Sequence, residues 1–294
     1  MQGWDRFSRW VSFLIVGTAS AVGVLAFLLP FLNPPAEQRA GPVVAHAQEA
    51  PFLFVALMVF TLGGIFADLN LRRVSVLSVA VLGVLAAVGA ALRVVPGPGG
   101  FSALFLVPIL GGYVYGAYFG FMVGVLTMAV SALVTAGVGP WLPFQMFASG
   151  WVGLLAGAWA HLWGKSPAPS WRPSRGEVIG LAVWGAVLGL FYGAVMNLWF
   201  WPFVFQAQQP ELYWSPGLGW RETLARYAAF YLATSLWWDM GRALGNAALI
   251  LTVGPSAIRA LRRFQARMHV VWEGSSEGAG SAAAVRYKHI LLRR

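Results

Sequence analysis

Long, continuous apolar stretches alternate with short polar segments along this chain, and they occupy residues 11–32, 51–69, 75–92, 101–115, 117–138, 144–163, 178–201 and 224–253. A helix rises about 1.5 Å per residue, so roughly 20 apolar residues cross a hydrocarbon core about 30 Å thick. The pattern predicts an all-α polytopic membrane protein with about eight transmembrane helices; the fourth stretch, short and rich in glycine, has the least secure ends. A β-barrel would instead show segments of about 10 residues with strict alternation. The run from Val74 to Leu82 has β-like propensity. Sustained apolarity nevertheless favours helices, because lipid offers no water to satisfy an open backbone.

Composition agrees: the chain is 59% hydrophobic and 10% charged, against about 25% charged in an average soluble domain. Its net charge of +10 would suit a nucleic-acid binder if it were clustered on one surface. It is distributed differently. Arg6 and Arg9 precede the first stretch, Arg72 and Arg73 follow the second, Lys165, Arg172 and Arg175 follow the sixth, and Arg259, Arg262, Arg263 and Arg267 follow the last. With one crossing per stretch, all four places fall on one side. The positive-inside rule then puts both termini in the cytoplasm. Among the opposite loops only Arg39 and Arg221 break the pattern, so the surplus is a topology signal and no nucleic-acid partner is expected. Cysteine is absent, which removes disulfides, thiol nucleophiles and thiolate metal sites. The first stretch is longer than a signal-peptide core and reads as a retained anchor, although Ala45-His46-Ala47 imitates a cleavage site.

Punctuation divides the chain into an anchor helix and outer loop (1–50), a second helix (51–73), a six-span remainder (74–254), a basic amphipathic helix (255–272) and a linker-like tail expected to be disordered (273–294). On the first span of the remainder Gly83, Ala87 and Ala91 recur at every fourth position, and Ala86 and Ala90 do so one position over. Small residues at that spacing let another backbone approach closely; packing within the bundle and docking of another subunit both use such a face. Residues 95–100, Val-Pro-Gly-Pro-Gly-Gly, cannot be helical and read equally as a lid or a connector. No repeat of 20 to 50 residues and no inverted repeat is evident.

Ionisable residues within a span are costly and thus functional candidates. Asp239 and Arg242 lie three apart on one helix face and can neutralise each other. Counted from Leu224, Asp239 lies about 23 Å along the helix, which puts it toward the cytoplasmic end. A structural salt bridge or a contact for a cytoplasmic partner is expected there rather than substrate binding. Asp68 is expected to pair with Arg72 or Arg73. At the outer ends of the last three spans stand Gln145, Asn197 and Arg226, accompanied by Trp141, Phe144, Tyr192, Trp199, Trp201, Trp220 and Tyr227. An aromatic site with a few convergent polar groups is the usual make-up of a small-molecule pocket, while Trp and Tyr also gather at membrane interfaces as anchors. The four histidines, His46, His161, His269 and His289, form no HExxH pattern, so no metal and no cofactor are expected. Ser149 and His161 sit on one helix about 18 Å apart, too far for a catalytic dyad. No GxxxxGK[ST] loop is present to power transport.

A series of motifs follows in order: Leu85 to Arg93, the Gly-Pro loop, Pro108-Ile-Leu-Gly-Gly-Tyr-Val-Tyr-Gly116, Gly120-Phe-Met-Val-Gly124, Gly137-Val-Gly-Pro-Trp-Leu-Pro-Phe-Gln-Met146 and Asp239-Met-Gly-Arg-Ala243. From about Val74 to Arg263 the chain resembles the substrate-specific S component of an energy-coupling-factor (ECF) vitamin transporter. Its two extra N-terminal spans and the segment from Ala45 to Pro51 resemble a longer bacterial subgroup associated with cobalamin. The resemblance implies a six-helix binding unit plus two added helices in the bacterial cytoplasmic membrane, with a vitamin as cargo and no enzymatic activity. It implies partners as well: a transmembrane coupling (T) subunit, two cytoplasmic ATPases and membrane lipid. It implies a coupling face of Gly83, Ala86, Ala87, Ala90 and Ala91, and a cargo site including Phe101, Gln145, Tyr192, Asn197 and Arg226, with Trp141, Phe144, Trp201 and Tyr227 around it. The 95–100 loop would cover the cargo. Riboflavin or a thiamine precursor are rival cargoes. A membrane enzyme using Asp239 and Arg242 on a lipid-linked substrate, and a purely structural subunit, are the alternatives from other classes.

Overall fold

The computed structural model describes residues 2–34, 45–70, 76–94, 97, 101–162 and 171–276. Among them the fold is all-helical: α1 Gln2–Leu32, α2 Ala50–Asn70, α3 Val76–Val94, α4 Leu106–Tyr115, α5 Ala117–Val134, α6 Leu142–Leu162, α7 Arg175–Phe200, α8 Trp220–Thr234, α9 Leu236–Thr252 and α10 Gly254–Ser276. Short 3-10 turns at Ala103–Phe105, Trp201–Phe203 and Pro210–Leu212 join them. Large apolar side chains such as Phe13, Leu25, Phe52, Val59, Val84 and Leu244 face outward, as lipid contact requires.

Three helices meet backbone to backbone at the centre. Gly116, at φ +105°, turns the chain between α4 and α5, a conformation that a residue with a Cβ rarely adopts. The Gly112 face of α4 and the Gly120 face of α5 then both lie against Gly153 of α6. A Cβ on Gly153 would overlap the Gly120 carbonyl oxygen, and one on Gly120 would overlap that of Gly153. Around this joint Ile109, Phe121, Val125, Phe147, Val152 and Ala156 are fully buried.

The remaining helices lean on this joint. α3 packs on α5, where Gly89 lies against Thr127, and it buries Leu82, Ala86, Gly89 and Ala90. The five-residue face expected for a partner is thus split: Ala86 and Ala90 are consumed inside the bundle, whereas Gly83, Ala87 and Ala91 stay exposed. α1 and α2 pack on α5 and α6. Gly23 admits Phe147 and Trp151, Gly64 admits Tyr118, and Trp151 Nε1 donates to Ser20 Oγ at 3.1 Å.

At one end, Ser174 and Glu177 form a reciprocal capping box that starts α7. The Glu177 carboxylate also accepts from Tyr113 and Arg262, while Tyr115 and Gln265 tie α4 to α10. This is the basic end, and the starts of α1 and α3 lie there too. α10 turns away from α9 by 65°.

Among the described residues five helices are long and apolar enough by length and composition to cross a membrane, or six if the bent pair α9 and α10 is one span. Two expectations change. The stretch 101–115 yields a short helix, and 224–253 is divided at Ser235. The expected linker at Glu273 begins inside α10, which continues to Ser276; the rest of the tail lies outside the described residues, as do most of the 95–100 loop and the side chain of Asp68.

Adding a methyl group at a backbone contact forces the helices apart, so Gly153→Ala is expected to lower stability by about 1–3 kcal/mol. Exposed Gly83→Ala is expected to change it by less than about 0.5 kcal/mol. Unfolding midpoints of the two variants in one detergent check this, and equal midpoints would contradict the backbone contact.

Candidate functional site

α7 and α9 run antiparallel, with Asn197 opposite Ser235, Gly193 opposite Asp239, Gly189 opposite Ala243 and Gly185 opposite Asn246. Hydrogen bonds fix that register: Ser235 Oγ donates to Asn197 Oδ1 at 2.9 Å, and Asn246 Nδ2 donates to the Gly185 carbonyl at 3.1 Å. Gly193 is where the Asp239 carboxylate sits, in space that a Cβ would fill. Asp239 accepts from Arg242. The Arg242 guanidinium in turn lies over Tyr192 at 5.1 Å and Phe105 at 5.8 Å, two rings that meet edge to face at 4.5 Å.

The Asp239–Arg242 pair was expected near the cytoplasmic end, and the register moves it. Gly193 lies seven residues before the end of α7, or about 10 Å at helical rise, so Asp239 belongs to the half of the bundle opposite the basic end. The distance counted from Leu224 misled because α8 extends beyond the end of α7, and backbone angles of −120° and −27° at Ser235 separate it from α9.

A second cation enters from the last turn of α3. Arg93 donates to Ser131 Oγ at 2.7 Å, Met128 Sδ at 2.9 Å and Gln145 Oε1 at 3.3 Å, which ties the ends of α3, α5 and α6 together. The charges of Arg93 and Arg242 both act on Tyr192.

From another side the turn between α1 and α2 inserts His46, which is only 2% exposed and has φ +57°. The ring lies 4.4 Å from that of Phe144 and 4.8 Å from that of Phe203, and Nε2–H donates to the Trp199 carbonyl at 3.1 Å. Burial pushes the imidazole down to about 4, against the opposing effect of the Trp199 hydrogen bond.

Of the residues singled out in the sequence, Gln145, Tyr192 and Asn197 border this polar region; Trp141 and Phe144 stand beside it through ring contacts with Trp199 and His46. Phe101 packs its ring against Gly245 of α9. Trp201 and Arg226 lie elsewhere, in an aromatic cap with Tyr213, Trp214 and Phe230, and Tyr227 reaches from that cap to the Ala194 carbonyl beside Gly193. There Trp201 Nε1 donates to the Leu212 carbonyl, Tyr227 to the Ala194 carbonyl, and Arg226 to Glu222 and to the Pro210 and Tyr213 carbonyls. The bonds of Trp201 and Arg226 to the 210–213 carbonyls hold the 204–219 segment in place and occupy those two side chains. Arg93 and His46 were not singled out: the apolar stretch stopped one residue before Arg93, and His46 is 153 residues from its partner Trp199.

Two buried donors in the region, Asn197 Nδ2 and Trp199 Nε1, have no hydrogen-bond partner, whereas the Tyr231 hydroxyl and the Asp239 carboxylate face one another. Burying such groups unpaired is costly, so the region is chemically suited to a ligand that carries hydrogen-bond acceptors. Among the described residues no group of His, Asp and Glu could hold a metal.

A family model for the ECF transporter, substrate-specific component, matches residues 75–254. The chain belongs to this family. No curated protein and no solved structure matches it. The matched span contains α3 to α9 entire, so every polar group just described except His46 belongs to the S-component core. The chain is therefore a multi-pass membrane protein and the substrate-binding subunit of an ECF importer, a transporter component rather than an enzyme. α1 and α2 precede the match, and their connecting turn reaches the same region through His46.

The buried imidazole predicts a pH dependence. Its folded value lies below the ordinary value of about 6.5, so the unfolded chain takes up the proton first. The stabilisation is complete above about pH 6.5 and is lost as pH falls toward about 4, by about 1.4 kcal/mol per pH unit. The difference in unfolding midpoint between the parent and His46→Phe should shift against the parent across that window, and a constant difference would contradict the placement.

Proposed function

We propose that this S component captures a vitamin at the end of the bundle opposite the basic face, between α3, α5, α6, α7 and α9. The observation that carries this reading is the convergence there of Arg93, Gln145, Tyr192, Asn197 and the Asp239–Arg242 pair, among buried groups that lack partners. By the positive-inside rule the basic face is cytoplasmic, so the site opens to the outside of a bacterial cytoplasmic membrane and both termini lie inside. A coupling T subunit and two ATPases supply the energy, and the exposed Gly83, Ala87 and Ala91 face of α3 is the docking surface. No cofactor takes part.

Cobalamin or a related corrinoid is the first cargo we propose, supported by the resemblance of the two N-terminal helices to the cobalamin-associated subgroup. Riboflavin and a thiamine precursor are next. The membrane-enzyme alternative is disfavoured by the way Asp239 is held against Gly193 and by Arg242, which leaves it poorly placed to exchange protons.

Calorimetric titration of the chain in nanodiscs with cobalamin, riboflavin, thiamine and biotin tests the reading. Saturable binding of one vitamin, weakened about tenfold or more by Asn197→Ala and unaffected by Arg226→Ala, is expected. Loss of binding on Arg226→Ala with none on Asn197→Ala would move the site to the aromatic cap, and absence of binding to any vitamin would remove the cargo reading.

A further inference from the structure

The charges in the candidate site do not balance. Arg226 has Glu222, Arg242 has Asp239 and Arg262 has Glu177. Arg93 is different. Its guanidinium is half-buried and directed into the core, and its hydrogen bonds go to a thioether, a hydroxyl and an amide oxygen. These neutral acceptors orient the cation without neutralising it, and among the described residues no carboxylate pairs with it. The nearby Asp239 is engaged by Arg242, so Arg93, Asp239 and Arg242 together carry one uncompensated positive charge.

A charge within a membrane bundle is stable only with a partner or with water. Guanidinium groups favour carboxylate and phosphate, whose oxygens match the planar fork. The remaining free donors in the region, Asn197 Nδ2 and Trp199 Nε1, are suited to oxygen acceptors as well. Ser131, Met128 and Gln145 hold Arg93 from two different helices, so its orientation is set before any ligand arrives, which lowers the ordering cost of binding.

We infer that the cargo carries an anionic group, a carboxylate or a phosphate, and that Arg93 supplies its counter-charge. This rests on the reading of the region as the cargo site. Phosphate on a lipid headgroup has the same chemistry, so the test separates the two sources. It also makes Arg93 a specificity-determining residue, since a neutral analogue of the same shape would leave the cation uncompensated.

The test uses matched pairs that differ at the anionic group, riboflavin 5′-phosphate and riboflavin, pantothenate and panthenol, biotin and biotin amide, together with cobalamin and cobinamide, which differ by the whole phosphate-bearing nucleotide. Each is titrated against the full chain in nanodiscs of neutral lipid. In the pair that binds, the anionic member is expected to bind about tenfold tighter or more. Arg93→Gln is expected to weaken the anionic member about tenfold more than the neutral one and so to remove that advantage, and Arg93→Lys to retain part of it. Equal binding of both members by the parent protein, a result that needs no variant to fold, overturns the anion while keeping the cargo site. So does equal weakening of both members by Arg93→Gln in a protein with a cooperative thermal transition. If Arg93→Gln instead strips co-purifying anionic phospholipid and leaves the discrimination between members intact, the anion is a lipid headgroup and the inference falls. Binding of no pair by a cooperatively folded parent removes the cargo reading and this inference with it.

Discussion

Direct backbone contact at Gly120 and Gly153 is the constraint on which the rest of the bundle depends. In lipid there is no hydrophobic drive between helices, and close packing has to supply the attraction. Gly112, Gly120 and Gly153 remove the side chains that would hold α4, α5 and α6 apart, and Gly124 and Gly157 continue the contact one turn to either side. Because α5 and α6 touch along this length, their ends have a fixed relation. Ser131 at the end of α5 and Gln145 at the start of α6 therefore stand close enough to share Arg93 from α3. The partners of the site's first cation are thus brought together by backbone contact between glycines.

The second half of the site follows the same logic with a different partner. Gly185, Gly189 and Gly193 form a small-residue face on α7, and α9 fills it with Ile250, Ala243 and Asp239. A carboxylate in that place is the costly choice. It is retained with a guanidinium beside it, two aromatic rings over that guanidinium, and polar neighbours at Asn197 and Ser235. A seam made only for packing would need none of these. The N-terminal helices add a contribution from outside the matched family region: their turn seats His46 between Phe144 and Phe203, and so fixes the aromatic side of the region.

Much of this was legible in the sequence, and the failures have physical causes. Continuous apolarity located α1, α2, α3, α5 and α7, because each is long enough to show its composition without help from its neighbours. The break at Ser235 was not visible, since Thr234 and Ser235 carry no Pro or Gly to mark it, and the depth assigned to Asp239 was wrong as a result. Small-residue spacing revealed a packing face on α3, yet which of two adjacent faces turns inward depends on where α5 lies. Gln145 and Asn197 take partners from other helices, as an amide in hydrocarbon requires. Trp201 and Arg226 have the same composition as a ligand site, but their polar atoms are spent on backbone carbonyls of the cap and on Glu222. Residue type alone does not distinguish the two uses.

Cargo held at the end opposite the basic face, between α3, α5, α6, α7 and α9, is the central spatial claim. A chain without cysteine allows that to be read directly. The functional variant Trp141→Cys would be treated in whole cells with a membrane-impermeant maleimide, with and without the bound vitamin, and Arg172→Cys at the basic end would be treated alongside it. The account predicts labelling of position 141 from outside, protection by the vitamin, and labelling of position 172 only after the membrane is opened. Labelling of position 172 in intact cells with position 141 silent, or unchanged labelling of position 141 at saturating vitamin, would contradict it.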